Sequence, residues 1–81
     1  MSKVKIYSTP TCTYCQLAKQ FFGQNGVEYT EYDVAEDVVK RQEMVEKTGQ
    51  MGVPVIEIEK DGTDHIVIGF DEDRIRQILS I

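Results

Sequence analysis

Residues 3–22 read KVKIYSTPTCTYCQLAKQFF, and this stretch decides the fold. The segment Lys3–Ser8 alternates between apolar and polar side chains, with Val4 and Ile6 on one face, which predicts a β-strand. Pro10 then ends the strand. The apolar residues that follow have helical spacing and predict one buried helical face, formed by Tyr14, Leu17, Ala18, Phe21 and Phe22. The chain therefore begins with a strand that leads directly into a helix.

The rest of the chain adds three strands and two helices. The predicted elements are a strand over 27–34, a helix over roughly 36–48, strands over 53–58 and 64–68, and a helix that begins near Asp71. The first two strands are joined by a helix and should be parallel, whereas the Asp61-Gly62 turn makes the last two antiparallel. This order, β-α-β-α-β-β-α, predicts an α/β fold with a four-stranded mixed sheet in a three-layer sandwich.

Local patterns predict how two of the helices begin and which residues lie along one side of the second helix. Thr13 and Gln16 have the spacing of a capping box at the start of the first helix. Asp71 is the predicted N-cap of the last helix. An ion pair is expected between Glu43 and Lys47, four residues apart on the second helix. Val38, Gln42 and Val45 are predicted to lie along one side of that helix.

The composition favours one small globular domain with a sheet at its centre. The chain has 81 residues, of which 41% are hydrophobic, so we expect a single domain over 1–81. Valine and isoleucine supply 17 residues while alanine and leucine supply two each, which argues against a helical bundle. The net charge of -5 argues against a protein that binds nucleic acid or an anionic membrane.

The N-terminal residues enter the first strand without an apolar leader-like stretch, so we expect a cytoplasmic protein. The two cysteines of the chain, Cys12 and Cys15, lie in one tetrapeptide. A disulfide between them closes almost no loop and adds little stability. The pair is therefore predicted to perform chemistry.

The spacing of the cysteines assigns a role to each. Three residues are nearly one helical turn, so the two Cα atoms are expected about 5–6 Å apart, within the range of a disulfide. Cys12 comes first, where the positive end of the helix dipole stabilises a thiolate, and is the predicted nucleophile. Cys15 lies one turn further on and is predicted to resolve the mixed disulfide. Lys19 is a candidate thiolate stabiliser, with a solvated helix lysine as the alternative.

Three segments of the chain resemble the landmarks of the glutaredoxin family. They are Tyr7-Ser8-Thr9-Pro10-Thr11-Cys12-Thr13-Tyr14-Cys15, Gly52-Val53-Pro54 and Gly69-Phe70-Asp71-Glu72. A lone CxxC is a weak motif, but the three landmarks in this order cover essentially the whole chain. The resemblance implies a thioredoxin-like fold and a thiol–disulfide oxidoreductase that reduces protein or glutathione mixed disulfides.

The resemblance also implies which residues bind the substrate. Pro54 would follow a cis peptide bond and turn the Val53 backbone toward glutathione or a substrate chain. The alternative is that Pro54 merely begins an edge strand. The segment containing Gly69, Phe70, Asp71 and Glu72 would hold the γ-glutamyl end of glutathione, and plain helix capping by Asp71 is the competing interpretation.

Tyr14 has two interpretations. It would pack on glutathione or a partner beside the thiols, or it belongs to the apolar face of the first helix.

Several positions depart from the family pattern. Thr13 replaces the usual proline of the CxxC motif, and Gly52 replaces the threonine before Val53. Thr9 stands where many glutaredoxins carry a lysine for the glycyl carboxylate of glutathione, and Gln50 matches the family's basic or amide residue. Phe70 makes the chain similar also to the glutaredoxin-like electron donors of ribonucleotide reductase, which thioredoxin reductase reduces. The reductant is therefore either glutathione or thioredoxin reductase.

A second class of function competes with the enzyme. Two chains could pool their CxxC motifs and carry a metal or an iron–sulfur cluster as a dimer. His65 is the one histidine, and it is predicted to be an ordinary polar residue of a strand. For the enzyme we expect no metal site and no tightly bound cofactor, with glutathione as reductant or substrate. The expected partners of this monomer are disulfide-containing or glutathionylated proteins and its reductant, with no nucleic acid and no membrane.

Overall fold

The computed structural model of the protein describes residues 2–81. Its elements are β1 (Lys3–Ser8), α1 (Thr13–Gln24), β2 (Thr30–Asp33), α2 (Val38–Thr48), β3 (Val55–Lys60), β4 (Thr63–Ile68) and α3 (Glu72–Leu79). The four strands form one sheet in the order β2-β1-β3-β4. β1 runs parallel to β2, while β3 is antiparallel to both β1 and β4. The predicted α/β fold, with its element order and mixed sheet, is confirmed.

The register of the sheet places its two central strands side by side. Tyr7 of β1 lies opposite Val55 of β3, and Val55 in turn lies opposite Ile68 of β4. The end of β1, the beginning of β3 and the end of β4 therefore meet at one edge. The predicted hairpin turn is also present, because Asp61 and Gly62 both have positive φ angles, 54° and 77°. This turn fixes the register of β3 against β4.

The larger core lies between the sheet and the helices α1 and α3. It is built from aliphatic side chains of three strands and aromatic side chains of α1, with one isoleucine from α3. Its buried members are Val4, Ile6, Ala18, Phe21, Phe22, Ile56, Ile58, Val67 and Ile75. β-branched residues on the strands and aromatic rings on the helix fill this layer, which explains the high valine and isoleucine content.

The smaller core lies on the opposite face, beneath α2. Tyr7, Val34, Met44 and Val55 form it. On α2 the buried residue is Met44, while Val38 and Gln42 are exposed and Val45 is half-buried. The three helices thus cover both faces of the sheet, two on one side and one on the other.

Two predictions, one about the N-cap of α1 and one about an ion pair of α2, need correction. The N-cap of α1 is Cys12 and not Thr13. The ion pair of Glu43 is with Lys40, at 3.1 Å, whereas Lys47 reaches across to the buried Glu57 of β3 at 3.5 Å. The long-range pair offsets the cost of burying the Glu57 carboxylate, which a helix-surface pair would not do.

The boundaries of β2 and α1 differ from the prediction in instructive ways. β2 is four residues long, because its ladder with β1 begins at Thr30 opposite Lys5. On α1 the buried face begins at Cys15, while Tyr14 and Leu17 are exposed. The apolar face is therefore rotated toward the second cysteine.

In the part of the chain described, 2–81, the helices are all too short or too polar to cross a membrane.

Candidate active site: the start of the first helix

The two cysteines lie at the sheet edge where β1 ends. Three residues separate Ser8 at the end of β1 from Cys12, and the backbone N–H of Cys12 donates to the carbonyl oxygen of Thr9 at 3.3 Å. This turn brings Cys12 to the N-cap position of α1. Cys12 and Cys15 are joined by a disulfide, with their Cα atoms 5.2 Å apart. The separation agrees with the distance expected from helical spacing.

The sulfur of Cys12 occupies the N-cap position of α1. Its Sγ accepts a hydrogen bond from the backbone N–H of Cys15 at 3.1 Å. The first turn otherwise holds Thr13, Tyr14 and Gln16, which are all uncharged. The positive end of the helix dipole is therefore available to a negative charge on this sulfur.

The two sulfurs differ in their access to solvent. Cys12 is partly exposed, whereas Cys15 is fully buried at the start of the helix face that packs on the sheet. A disulfide in a substrate can approach Cys12 from outside. Cys15 is covered by the protein and is bonded to Cys12.

A second segment of the site precedes β3. The Val53–Pro54 peptide bond is cis, as the resemblance implied, and Pro54 is buried while Val53 is half-buried. β3 is a central strand of the sheet, so the interpretation of Pro54 as the start of an edge strand is wrong. Two residues earlier, Met51 is 79% exposed. Met51, which the sequence analysis did not single out, is thus an exposed apolar side chain three residues before Pro54.

The third segment, Gly69–Glu72, is attached to the second by a backbone hydrogen bond. The N–H of Gly69 donates to the carbonyl oxygen of Pro54 at 2.8 Å. Gly69 has a φ of 79°, a left-handed conformation that glycine adopts without steric cost. The three landmark segments therefore belong to one end of the sheet.

Comparison with known proteins agrees with this arrangement. The glutaredoxin family profile matches residues 4–63. The chain belongs to the glutaredoxin family. It is 38% identical over 76 residues to an uncharacterized glutaredoxin-like 8.6 kDa protein in the rubredoxin operon of Clostridium pasteurianum, covering 94% of this chain and 96% of that protein. It is 37% identical over 59 residues to glutaredoxin 3 of Escherichia coli K12, covering 73% of this chain and 71% of that protein.

A solved structure supports the thioredoxin-like fold. A crystal structure of a mutant of the thioredoxin-like protein BC3987 superimposes with a TM-score of 0.84, at 31% identity, and covers 100% of this chain and 99% of that one. The glutaredoxin fold and the bonded cysteine pair together make this protein a thiol–disulfide oxidoreductase. The predicted family, fold and redox-active pair are confirmed.

In this glutaredoxin the Gly69–Glu72 segment already has partners in α3 and α1. The Asp71 carboxylate accepts from the backbone N–H of Arg74 at 3.2 Å, so the predicted N-cap is confirmed. Glu72 pairs with Arg76 at 2.9 Å, and Phe70 packs on Phe21 with ring centroids 5.7 Å apart. Asp71 and Glu72 are nevertheless exposed to solvent. Helix capping by Asp71 thus occurs, and its carboxylate remains open to a ligand on its outer side.

Tyr14 and Lys19, the two other predicted site residues of α1, have different surroundings. Tyr14 is 63% exposed, so its interpretation as part of the core face is wrong. Lys19 is not simply solvated, since its Nζ lies 2.8 Å from Oε2 of Glu31 in β2. The same oxygen accepts from Oγ of the buried Ser8 at 2.7 Å. Hydrogen bonds from Lys19 and then Ser8 hold the pKa of the Glu31 carboxyl below its usual range.

The pairing of Ser8, Glu31 and Lys19 has no signal in the linear sequence. Ser8 and Glu31 are 23 residues apart, and they meet because β1 and β2 are parallel neighbours.

His65 lies on β4 opposite the buried Ile58, away from the cysteines along the strand. Across residues 2–81, the cysteine, histidine and acidic side chains form no group of three or more that could hold a metal ion.

Proposed function

We propose that this glutaredoxin reduces glutathione mixed disulfides and protein disulfides through a dithiol cycle of Cys12 and Cys15. The observation that carries the proposal is the asymmetry of the pair, in which Cys12 is accessible and caps α1 while Cys15 is buried. A thiolate at Cys12 receives the Cys15 N–H bond and the field of the helix. The reduced protein therefore has one preferred attacking sulfur.

The reaction takes place in two exchanges. The Cys12 thiolate attacks one sulfur of the substrate disulfide, and the other substrate sulfur leaves as a thiolate that takes up a proton. The thiolate of Cys15 then attacks Sγ of Cys12, which releases the second substrate thiol and forms the Cys12–Cys15 bond. Two electrons pass from the dithiol to the substrate, and glutathione or a thioredoxin reductase supplies the two electrons that restore the dithiol.

The substrate is held by backbone groups beside the sulfurs. We assign the Val53 backbone, turned by Pro54, to pairing with a peptide-like substrate in the manner of strand addition. The exposed side chains of Tyr14 and Met51 provide apolar contact area for a protein substrate. These contacts suit a chain that lacks the lysine expected at Thr9.

The Gly69–Glu72 segment is assigned to the γ-glutamyl end of glutathione. The start of α3 provides backbone N–H groups for its carboxylate, and the exposed carboxylates of Asp71 and Glu72 suit its ammonium group. Because Phe70 is anchored in the core, the backbone on either side of it is held in place.

A reductant swap tests the proposed function. The purified protein is given NADPH with either glutathione and glutathione reductase or thioredoxin reductase alone, and turnover of a glutathionylated peptide and of insulin is followed. Turnover with at least one reductant is expected, together with its loss in Cys12→Ser. A wild-type protein that is inactive in all four combinations, or a fully active Cys12→Ser variant, overturns the proposal. Stoichiometric iron in the purified protein would instead support the cluster carrier.

A further inference from the structure

A polar cluster that contains the buried Ser8 links α1 to the sheet, and its lysine lies one helical turn beyond Cys15. Ser8 Oγ and Lys19 Nζ donate to the same oxygen, Oε2 of Glu31, at 2.7 and 2.8 Å. The three residues come from β1, α1 and β2, and the Ser8 side chain is fully buried. The Lys19 side chain is 18% exposed and that of Glu31 is 37% exposed. The ion pair is therefore held in one geometry by a third, buried partner.

The position of this cluster makes its charges relevant to the thiols. Lys19 follows Cys15 by four residues and lies one turn further along α1. Lys19 follows Cys12 by seven residues, and the helical rise per residue therefore places it about 10 Å from Cys12 along the axis of α1. At this separation a full charge still acts on a thiolate at moderate salt, because the Debye length is about 10 Å at 0.1 M.

We propose that Glu31 is a positioning residue for the thiol chemistry: it holds Lys19 in place and cancels most of the effect of its positive charge on Cys12. The inference rests on the proposed function, in which Cys12 is the nucleophile. The helix dipole then stabilises the thiolate, while the Lys19–Glu31 pair adds little net field. Ser8 contributes by fixing the carboxylate between the strand and the helix.

Other charged groups near this edge do not change in the experiment. The Asp33 carboxylate, at the end of β2, accepts from the backbone N–H of Ala35 at 3.0 Å. Asp71, Glu72 and Asp73 stand at the start of α3, where Glu72 is paired with Arg76. The substitutions below leave these groups in place, so differences between variants report on Lys19 and Glu31.

The experiment is a double-mutant cycle on Lys19 and Glu31. The alkylation rate of Cys12 is measured as a function of pH in each variant. Glu31→Gln, Lys19→Met and the double variant are made in a Cys15→Ser background, which leaves one thiol and keeps the backbone N–H of residue 15. Glu31→Gln exposes the thiolate to an uncompensated lysine, and we expect about threefold faster alkylation below the midpoint. Lys19→Met leaves Glu31 unpaired and should slow it by a similar factor. The double variant should return to the parent rate.

The opposite signs separate this role from a merely structural one. If the cluster only braced α1, either single substitution would break the brace, and both would change the rate in the same direction. The double variant would then differ from the parent at least as much as the singles. Either pattern overturns the inference.

Two controls complete the design. Lys3→Met removes one positive charge at the far end of β1 and should leave the alkylation profile unchanged. Thermal melts identify any variant that has lost its fold, and raising the salt concentration should shrink both single-variant effects. A reactive Cys12 with identical profiles in every variant defeats this inference alone. A parent thiol with the reactivity of an ordinary cysteine contradicts the proposed function itself.

Discussion

The starts of α1 and α3 use the same capping geometry with different chemistry. At α1 the sulfur of Cys12 accepts from a backbone N–H three residues later, at 3.1 Å. At α3 the carboxylate of Asp71 does the same toward Arg74, at 3.2 Å. Glu72 and Asp73 add two more negative charges to the first turn of α3, whereas Thr13, Tyr14 and Gln16 add none to α1.

The difference shows how one helix start is kept ready for chemistry while the other is fixed. α3 carries its own permanent negative charge, so its dipole is already compensated. α1 has a cap that is charged only when the cysteines are reduced and Cys12 is ionised. The capping strength at α1 therefore changes with the redox state of the protein, while that at α3 stays constant.

The largest expected effect comes from replacing the cap of α1 with a hydroxyl. Cys12→Ser should reduce disulfide reductase activity by more than about a hundredfold, because the attacking sulfur is removed. Serine is itself a good N-cap, so the melting temperature of the reduced protein should change little. Activity is measured with a glutathionylated peptide, and melting by circular dichroism. Cys12→Ala is the matched variant that loses both the thiol and the cap.

Removing the buried sulfur of Cys15 is expected to affect the two kinds of substrate differently. Cys15→Ser should lower reduction of protein disulfides by about tenfold or more, since the mixed disulfide on Cys12 can no longer be resolved internally. Reduction of a glutathionylated peptide should continue, because external glutathione can release the enzyme. Both rates are measured on the same preparation. Equal loss on the two substrates would contradict the assignment of Cys15 as the resolving residue.

At α3 the cap can be separated from its charge. Asp71→Ala should lower the free energy of unfolding by about 1 kcal/mol, through loss of the hydrogen bond to Arg74. Asp71→Asn keeps a capping oxygen and should cost less, as measured by urea denaturation of both variants. A similar loss of apparent affinity for glutathione in both would indicate that the charge binds the ligand. Unchanged affinity in both would remove Asp71 from the proposed glutathione site.

The smallest expected effect comes from giving α1 the acidic first turn of α3. Thr13→Glu places a permanent charge beside the cap, where it competes with the thiolate for the same dipole. Alkylation of Cys12 in the reduced protein should slow by about threefold at neutral pH, since such charges contribute roughly 0.3–1 kcal/mol. Thr13→Gln has the same size without the charge and should match the wild type. Equal rates in the two variants would mean that the dipole does not set the reactivity of Cys12.

The elements predicted correctly are those that short-range chemistry specifies. β1, the Asp61-Gly62 turn and the Asp71 cap each depend on neighbouring residues, so their signals are complete within a few positions. The CxxC spacing likewise predicts the disulfide, because one helical turn fixes the distance between the two cysteines. The fold class followed from the order of such segments.

The errors arise where tertiary contacts decide between similar local patterns. Tyr14 fits the helical apolar period, yet packing rotates α1 so that Cys15 faces the sheet. Lys47 was expected to pair within α2 but instead pairs with Glu57 on β3. The contact of Glu31 with Ser8 needs the parallel register of two strands, which no local pattern contains.

One backbone hydrogen bond ties two parts of the site into a single mechanical unit. The 2.8 Å bond from Gly69 to the carbonyl of Pro54 continues the β3–β4 ladder by one step beyond Val55 and Ile68. A displacement of the Val53–Pro54 segment is therefore transmitted to the start of α3. Because the bond joins two backbone groups, the spacing between the Val53–Pro54 segment and the start of α3 does not depend on a side-chain contact.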